Sequence, residues 1–404
     1  LLTVLFKFMV KIELGAEYEV TIEKLIYGAE GLARLENVAL FIPETVPGDK
    51  VKVIITEAEK NFFRAKVVEI LNPSSMRRVA PCSYFDLCGG CQLQHINYSA
   101  QLEAKASFIE DSLKRIGRFS LSNRVEVKHA EEFNYRNRVQ LKIERSTKPL
   151  QIGFYKASSH QVCDIENCLI LANELNQALE TLRNAQDEIA LSEIPYTKID
   201  LIKGVDNISA SQKIASLDTK EVFQQVLGIN YYFEPNCFFQ VNQHLLETLL
   251  NIVIGTRKGK LALDLYAGVG FFALQLAKNY QKVIATEVNK TAVKWATHNI
   301  KENKINNLEF YDFSTEKWLA KMSRQNIKPD LIVLDPPRVG IIKKTLLSIV
   351  ALQPKEIVYV SCDPTTLARD LRVLADCGYQ LNNVVGIDLF PQTYHIETVA
   401  SLKK

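Results

Sequence analysis

The spacing of hydrophobic and polar positions changes several times along this chain. From residue 10 to 72 apolar residues alternate with polar ones in short runs, YEVTIEKLI, NVALFIPE, DKVKVIITEAE and FFRAKVVEIL, punctuated by Gly28, Gly31, Pro47 and Gly48. β-branched residues dominate these runs, so the pattern predicts four or five short strands. That many strands in so short a segment predict a small closed barrel of the OB type, a shape often used to bind oligonucleotides. After a connector at 73–81, Leu102, Ala106, Ile109, Leu113 and Ile116 recur at spacings of three and four. They predict a helix over 98–117, expected to pack on the last domain. Residues 125–235 return to short alternating strands, broken by one helix near 171–185. Beyond 236 the apolar runs LALDLY, KVIATEV, DLIVLDP and EIVYVSC alternate with helical stretches. That order predicts a Rossmann-like, doubly wound α/β sheet.

The expected organisation is therefore a leader at 1–9, a barrel at 10–72, a central β-rich domain at 73–235 and an α/β domain at 236–404. The leader LLTVLFKFMV is too short to span a bilayer. It lacks a basic region before it and a cleavage site after it, and translation is expected to start at either Leu1 or Met9. No later stretch reads as a membrane span, so a cytoplasmic monomer without membrane attachment is expected. A chain of 404 residues exceeds one ordinary domain, and 47% hydrophobic residues suffice for a sizeable core. A formal charge of +3 does not separate a nucleic-acid binder from a metabolic enzyme.

Candidate chemistry gathers at the predicted strand ends of the α/β domain. LALDLYAGVG runs from a strand into a turn that Gly268 and Gly270 allow to be tight. Glu287, closing the next strand, can accept hydrogen bonds from both ribose hydroxyls of an adenosine ligand. The turn has neither the third glycine of the dinucleotide fingerprint nor a phosphate-binding G-K-[ST]. S-adenosylmethionine, cationic and free of phosphate, suits a turn flanked by Asp264 and Glu287. LDPPRVG puts Asp335 after a buried strand, on a loop that Pro336 and Pro337 restrict. YVSCDP puts Cys362 at the same edge, where a cysteine alone reads as a buried structural thiol. In YRNRVQLKI, Arg136 and Arg138 share one strand face. That face suits either phosphate contacts or plain solvation.

Eight cysteines are distributed unevenly. Cys82, Cys88 and Cys91 form C-x5-C-x2-C, and Cys163 and Cys168 make a second group. Crowding of this kind points to metal or catalysis rather than to disulfides. Three grouped thiols with a distant fourth suit an iron–sulfur cluster better than zinc, although zinc stays open.

FFQVN at 238–242, DLYAGVG at 264–270, LDPPRVG at 334–340, YVSCDP at 359–364 and DLFPQTYHIETVA at 388–400 occur together in one order. In these motifs the chain resembles the RNA uracil-5-methyltransferase family over nearly its whole length. GAEGLARLENVALFIPETVPGDKVKV resembles the TRAM domain, an RNA-binding barrel. The resemblance implies S-adenosylmethionine-dependent methylation of carbon 5 of a uridine, in 23S ribosomal RNA ahead of a tRNA T-loop. It assigns the nucleophile that adds to carbon 6 to Cys362, and the base that removes the carbon 5 proton to Glu397. It implies that Gln240, Tyr266, Gly268, Glu287 and Asp335 line the cofactor and target-base pocket. It also implies a 4Fe-4S cluster on Cys82, Cys88, Cys91 and Cys168, with Cys163 competing for the fourth place. Ala267 and Phe271 depart from the family pattern, which has cysteine in many relatives at the first position and a polar residue in some at the second. Two other classes stay open, an amino-group methyltransferase and a non-catalytic RNA-binding protein.

Overall fold

Residues 12–191, 197–214, 216–322, 325 and 327–404 are described by the computed structural model. The leader and the choice between Leu1 and Met9 lie outside them. Contacts divide the chain into two compact units. One runs to Phe85 and includes Cys91–Phe108 and Gln392–Tyr394; the other comprises Asp86–Gly90, Ile109–Pro391 and His395–Lys404.

In the first unit, β1 (Glu17–Thr21), β2 (Lys24–Leu25), β3 (Gly31–Leu35), β4 (Val38–Ile42), β5 (Lys50–Ala58) and β6 (Phe62–Asn72) form one sheet in the order β1-β5-β6-β4-β3-β2. Alternate residues Val51, Val53 and Ile55 point into a core with Val20, Ile22, Leu40 and Ile42, as the period of two requires. The expected closed barrel is not found among the described residues, where the ladder is ordered from β1 to β2. Its two end strands, β1 and β2, are consecutive arms of one bent stretch that pairs with β5 through one arm and with β3 through the other. Ile22 still donates toward the β5 side, to Asp49 O, whereas Glu23 already donates to Leu32 O of β3. The sequence pattern missed β3, which a two-residue turn specifies. Glu36 and Asn37 both have positive φ, 49° and 71°, as the tightest hairpin connections demand.

Helix α1 (Tyr98–Arg115) begins in this unit. Its buried Gln101 donates to the carbonyls of Leu93 and Ile96 at 2.9 Å and accepts from Gln392 N at 3.2 Å. That exchange ties a piece of the C-terminal tail to the N-terminal unit.

In the second unit the chain lays down β7 (Glu126–Lys128) and then an antiparallel sheet. Its strands are β8 (Arg138–Glu144), β9 (Gln151–Tyr155), β10 (Val162–Asp164), β11 (Lys198–Lys203) and β12 (Ile208–Ala210), ordered β10-β9-β8-β11-β12. Helices α2 (Asn173–Asn184) and α3 (Gln186–Leu191) interrupt it, and α2 buries Leu175, Ala178, Leu179 and Leu182 on one face. The hairpin β13 (Val222–Val226) and β14 (Ile229–Phe233) leads into the α/β part.

There β15 (Gly259–Leu265), β16 (Tyr280–Glu287), β17 (Leu308–Asp312), β18 (Leu331–Leu334), β19 (Glu356–Ser361), β20 (Gln380–Ile387) and β21 (Glu397–Lys403) join β7 in the order β17-β16-β15-β18-β19-β21-β20-β7. The strands from β15 to β19 are parallel, and β21 runs against both its neighbours. The intervening helices are α4 (Leu246–Val253), α5 (Phe271–Leu276), α6 (Lys290–Glu302), α7 (Thr315–Met322), α8 (Lys343–Ala351) and α9 (Pro364–Asp376). The chain steps outward from β15 to β17, then returns to place β18 on the other side of β15. Reversal of that kind opens a ligand crevice at the carboxyl ends of β15 and β18. β7 pairs in parallel with β20, which brings a segment from far upstream to the edge of the α/β sheet. Asn137 adds a second tie by donating to Val241 O at 2.9 Å. Among the described residues no helix is long and apolar enough to cross a membrane.

Candidate active site

Each expected residue of the α/β part except Gln240 lies at one edge of the sheet, brought there by strand register. Asp264 is in step with Val333, and Leu265 with Leu334. Tyr266 and Asp335 therefore leave adjacent strands together. Tyr266 holds φ of 79°, and Gly268 and Gly270 follow at 56° and 90°. A side chain at Gly270 would put its Cβ 2.1 Å from Leu274, so the turn into α5 requires glycine there.

Glu287 ends β16 beside this turn. One carboxylate oxygen accepts from Gly268 N at 2.9 Å, and the other accepts from Val288 N and Asn289 N at 2.7 Å each. Asp264 is wholly buried beneath the turn; Ala273 N faces it as a backbone donor, but among the described residues neither carboxyl oxygen has a well-formed hydrogen bond. Burial, reinforced by Asp335, pushes its carboxyl up to about 8. A buried acceptor left in this state suits a ligand carrying positive charge or N–H donors. Asp335 is half-buried, and burial pushes it up to about 7. Burial also raises the Tyr266 hydroxyl, which reaches Glu316 at 3.4 Å.

Cys362 follows the last residue of β19. Asp363 caps α9 by accepting from Thr365 N and Thr366 N at 2.8 and 3.0 Å, and Pro364 takes the first helical position. The S-C-D-P sequence thus ends the strand, presents the thiol and starts the helix. Ser361 pairs with Thr398, so Glu397 emerges from β21 next to Cys362. Burial pushes the Cys362 thiol up to about 11, with a contribution from the Glu397 carboxylate. Arg338 opposes that shift by charge and by a side-chain hydrogen bond to the thiol. Glu397 is buried, one of its oxygens lacks a partner among the described residues, and burial and Asp335 together raise its carboxyl well above the usual range. Sequence reasoning did not single out Arg338, although it lies inside the quoted LDPPRVG. Its signal was a cation directly after the paired prolines.

Gln240 is buried on the segment before α4. Asn137 Nδ2 donates to its carbonyl at 3.1 Å. The adjacent phenylalanines divide. Phe239 is buried and stacks on Phe233 with centroids 4.3 Å apart, while Phe238 is 63% exposed. Phe271 joins the same aromatic cluster at 5.5 Å from Phe239, which accounts for an apolar residue there.

Arg138 does not extend outward as a phosphate grip. Its guanidinium donates to the carbonyls of Cys237 at 2.7 Å and Pro235 at 3.3 Å. Arg136 Nε donates to Arg138 O at 3.0 Å. The pair braces the segment that carries Gln240.

Cys82 and Cys91 belong to the first unit, Cys88 and Cys168 to the second. Among the described residues no group of three or more His, Cys, Asp or Glu side chains is placed to hold a metal.

Residues 197–404 match the family model described as tRNA (uracil-5-)-methyltransferase, and residues 11–68 match that of the TRAM domain. An RNA methyltransferase of Aquifex aeolicus (strain VF5) is 33% identical over 95% of this chain and 98% of its own. A second, from Caldanaerobacter subterraneus subsp. tengcongensis, is 32% identical over 98% of this chain and 100% of its own. Pyrococcus abyssi tRNA (uracil-54, C5)-methyltransferase, solved in complex with S-adenosyl-L-homocysteine, is similar with a TM-score of 0.73 and 26% identity. The match covers 95% of this chain and 100% of that one.

Proposed function

The chain belongs to the tRNA (uracil-5-)-methyltransferase family, and on that premise we propose that it methylates carbon 5 of a specific uridine in RNA, with Cys362 as covalent nucleophile. The observation that carries this reading is the meeting of Cys362, Glu397 and Arg338 beside the crevice where Asp264, Glu287 and Asp335 converge. S-adenosylmethionine, when bound, supplies an electrophilic methyl group on a sulfonium. Asp264 and Asp335 suit its positive charges, Glu287 and Gly268 its ribose, and Tyr266 and Gln240 complete the pocket.

Carbon 5 of uracil is a poor nucleophile. The Cys362 thiolate adds to carbon 6 and turns the ring into an enolate, which makes carbon 5 reactive. Because burial favours the neutral thiol, a cation is needed to hold the thiolate, and Arg338 supplies it. After carbon 5 has gained the methyl, Glu397 removes the proton there. The electron pair of that C–H bond restores the ring double bond and releases Cys362. A carboxylate with raised proton affinity is a stronger base for this step.

RNA recognition is supported by the TRAM match. Ribosomal RNA, with a 23S uridine as target, is the first substrate expected. A tRNA reading is favoured by one observation, the full-length similarity to a P. abyssi enzyme named for uracil 54 of tRNA. Methylation of 23S fragments and of tRNA transcripts, followed by nucleoside analysis, tests both. 5-Methyluridine in one transcript identifies the substrate class, and none in either overturns the reading.

A further inference from the structure

We propose that Asp370 is a positioning residue that holds Arg338 against Cys362 by fixing the loop between β18 and α8, an inference that rests on the nucleophile reading above. Asp370 lies on α9 and is 1% exposed. One carboxylate oxygen accepts from Ile341 N at 2.7 Å and from the Tyr359 hydroxyl at 2.7 Å. The other accepts from Arg369 Nε at 2.8 Å. Arg369 extends the grip by donating to Val339 O at 2.9 Å, and the Thr366 hydroxyl donates to Arg338 O at 3.1 Å.

Successive turns of α9 therefore bind the main chain at Arg338 and directly after it. Gly340 bears the mark of this closeness. Its φ is 72°, and a Cβ there would lie 2.5 Å from the Asp370 carboxylate and 2.6 Å from Arg369 Nη2. Pro337 O accepts from Gly340 N at 2.8 Å, closing a turn with Arg338 inside it. A buried carboxylate with its donors in place is rigid, whereas an exposed loop of this length is mobile unless tied down. The rigidity has a purpose here because the groups facing the thiol come from two elements. Arg338 and Asp335 lie on the loop after β18, and Glu397 lies on β21. If the loop drifts, the one cation among them is lost from the thiol while the β21 carboxylate stays.

The test is the rate of covalent adduct formation with 5-fluorouridine-containing RNA and S-adenosylmethionine, measured from pH 6 to 9. Wild type, Asp370→Asn, Gly340→Ala and Tyr359→Phe are compared, with circular dichroism and cofactor binding as folding checks. Asp370→Asn should slow the adduct by about 10- to 100-fold at neutral pH, the scale expected when a reacting group is misplaced by about an ångström. The deficit should shrink as pH rises and supplies thiolate without Arg338. Gly340→Ala displaces the same loop from its other side and should show the same pH-dependent deficit. Tyr359→Phe removes one donor only and should stay within about threefold of wild type.

A folded Asp370→Asn protein with the wild-type rate, or slower by one factor at every pH, overturns the proposal. Should Asp370→Asn fail to fold, Gly340→Ala decides by the same criterion. A wild type that forms no adduct overturns the nucleophile reading and this inference together. An adduct in wild type with unchanged profiles in the variants overturns this inference alone.

Discussion

Thr398 of β21 stands opposite Ser361 of β19 in an antiparallel ladder. The next residues outward on the two strands are Glu397 and Cys362, so a single register position joins a thiol to a carboxylate. A slip of one residue would turn Glu397 to the other face of the sheet. The neighbouring strands β18 and β20 hold the register from both sides.

Glu397→Gln should separate the two halves of the reaction. Addition of Cys362 and methylation need no base at carbon 5, whereas release does. With ordinary uridine RNA the variant should accumulate a methylated, denaturant-stable protein–RNA complex. Turnover should fall about 100- to 10,000-fold. Gel shift under denaturing conditions reads the complex, and normal turnover without accumulation contradicts the assignment. In wild type, release should fail first as pH drops, because the raised proton affinity of Glu397 leaves less carboxylate.

Asp264→Asn should weaken cofactor binding and change the pH dependence of stability. Asp264 titrates at about 8 when folded, against about 4 for an unfolded aspartate. The folded state holds this proton more tightly, so its contribution is complete below about pH 4 and is lost as pH rises through about 8. Without cofactor, wild type should therefore lose more stability than Asp264→Asn between pH 5 and 8.5 in urea unfolding. Parallel curves contradict the burial argument. S-adenosylmethionine affinity should fall at least about tenfold in titration calorimetry, the scale of a lost charged partner.

Arg138→Met distinguishes a brace from a phosphate contact. Removing a guanidinium that donates to Cys237 O and Pro235 O should cost about 2–3 kcal/mol in urea unfolding. The slope of RNA affinity against salt should not change. A slope reduced by about one unit, with stability intact, assigns Arg138 to phosphate instead.

The α/β part was largely legible because its strands are buried on both faces and read as continuous apolar runs; Leu331–Leu334 has no exposed residue. The strand-end positions of Cys362, Glu287 and Asp335 were legible because they sit where those runs stop. What the pattern missed depends on pairing across distance. β7 has three residues, and only the edge of β20 makes it part of the sheet. Gln392 joins the N-terminal unit through Gln101, nearly three hundred positions away, by polar contacts that leave no periodicity. The direction of Arg138 depends on the Pro235–Cys237 carbonyls, and that of Arg338 on a buried aspartate in a later helix.

Trapping with 5-fluorouridine RNA tests the nucleophile most directly. Fluorine at carbon 5 cannot leave as a proton does, so the protein, the RNA and a transferred methyl group should remain joined. Peptide mass spectrometry after nuclease digestion should place the nucleotide on Cys362, and Cys362→Ala should form no adduct while still binding cofactor. An adduct on another residue, no adduct with either 23S or tRNA transcripts, or full methylation by Cys362→Ala would contradict covalent catalysis by this thiol.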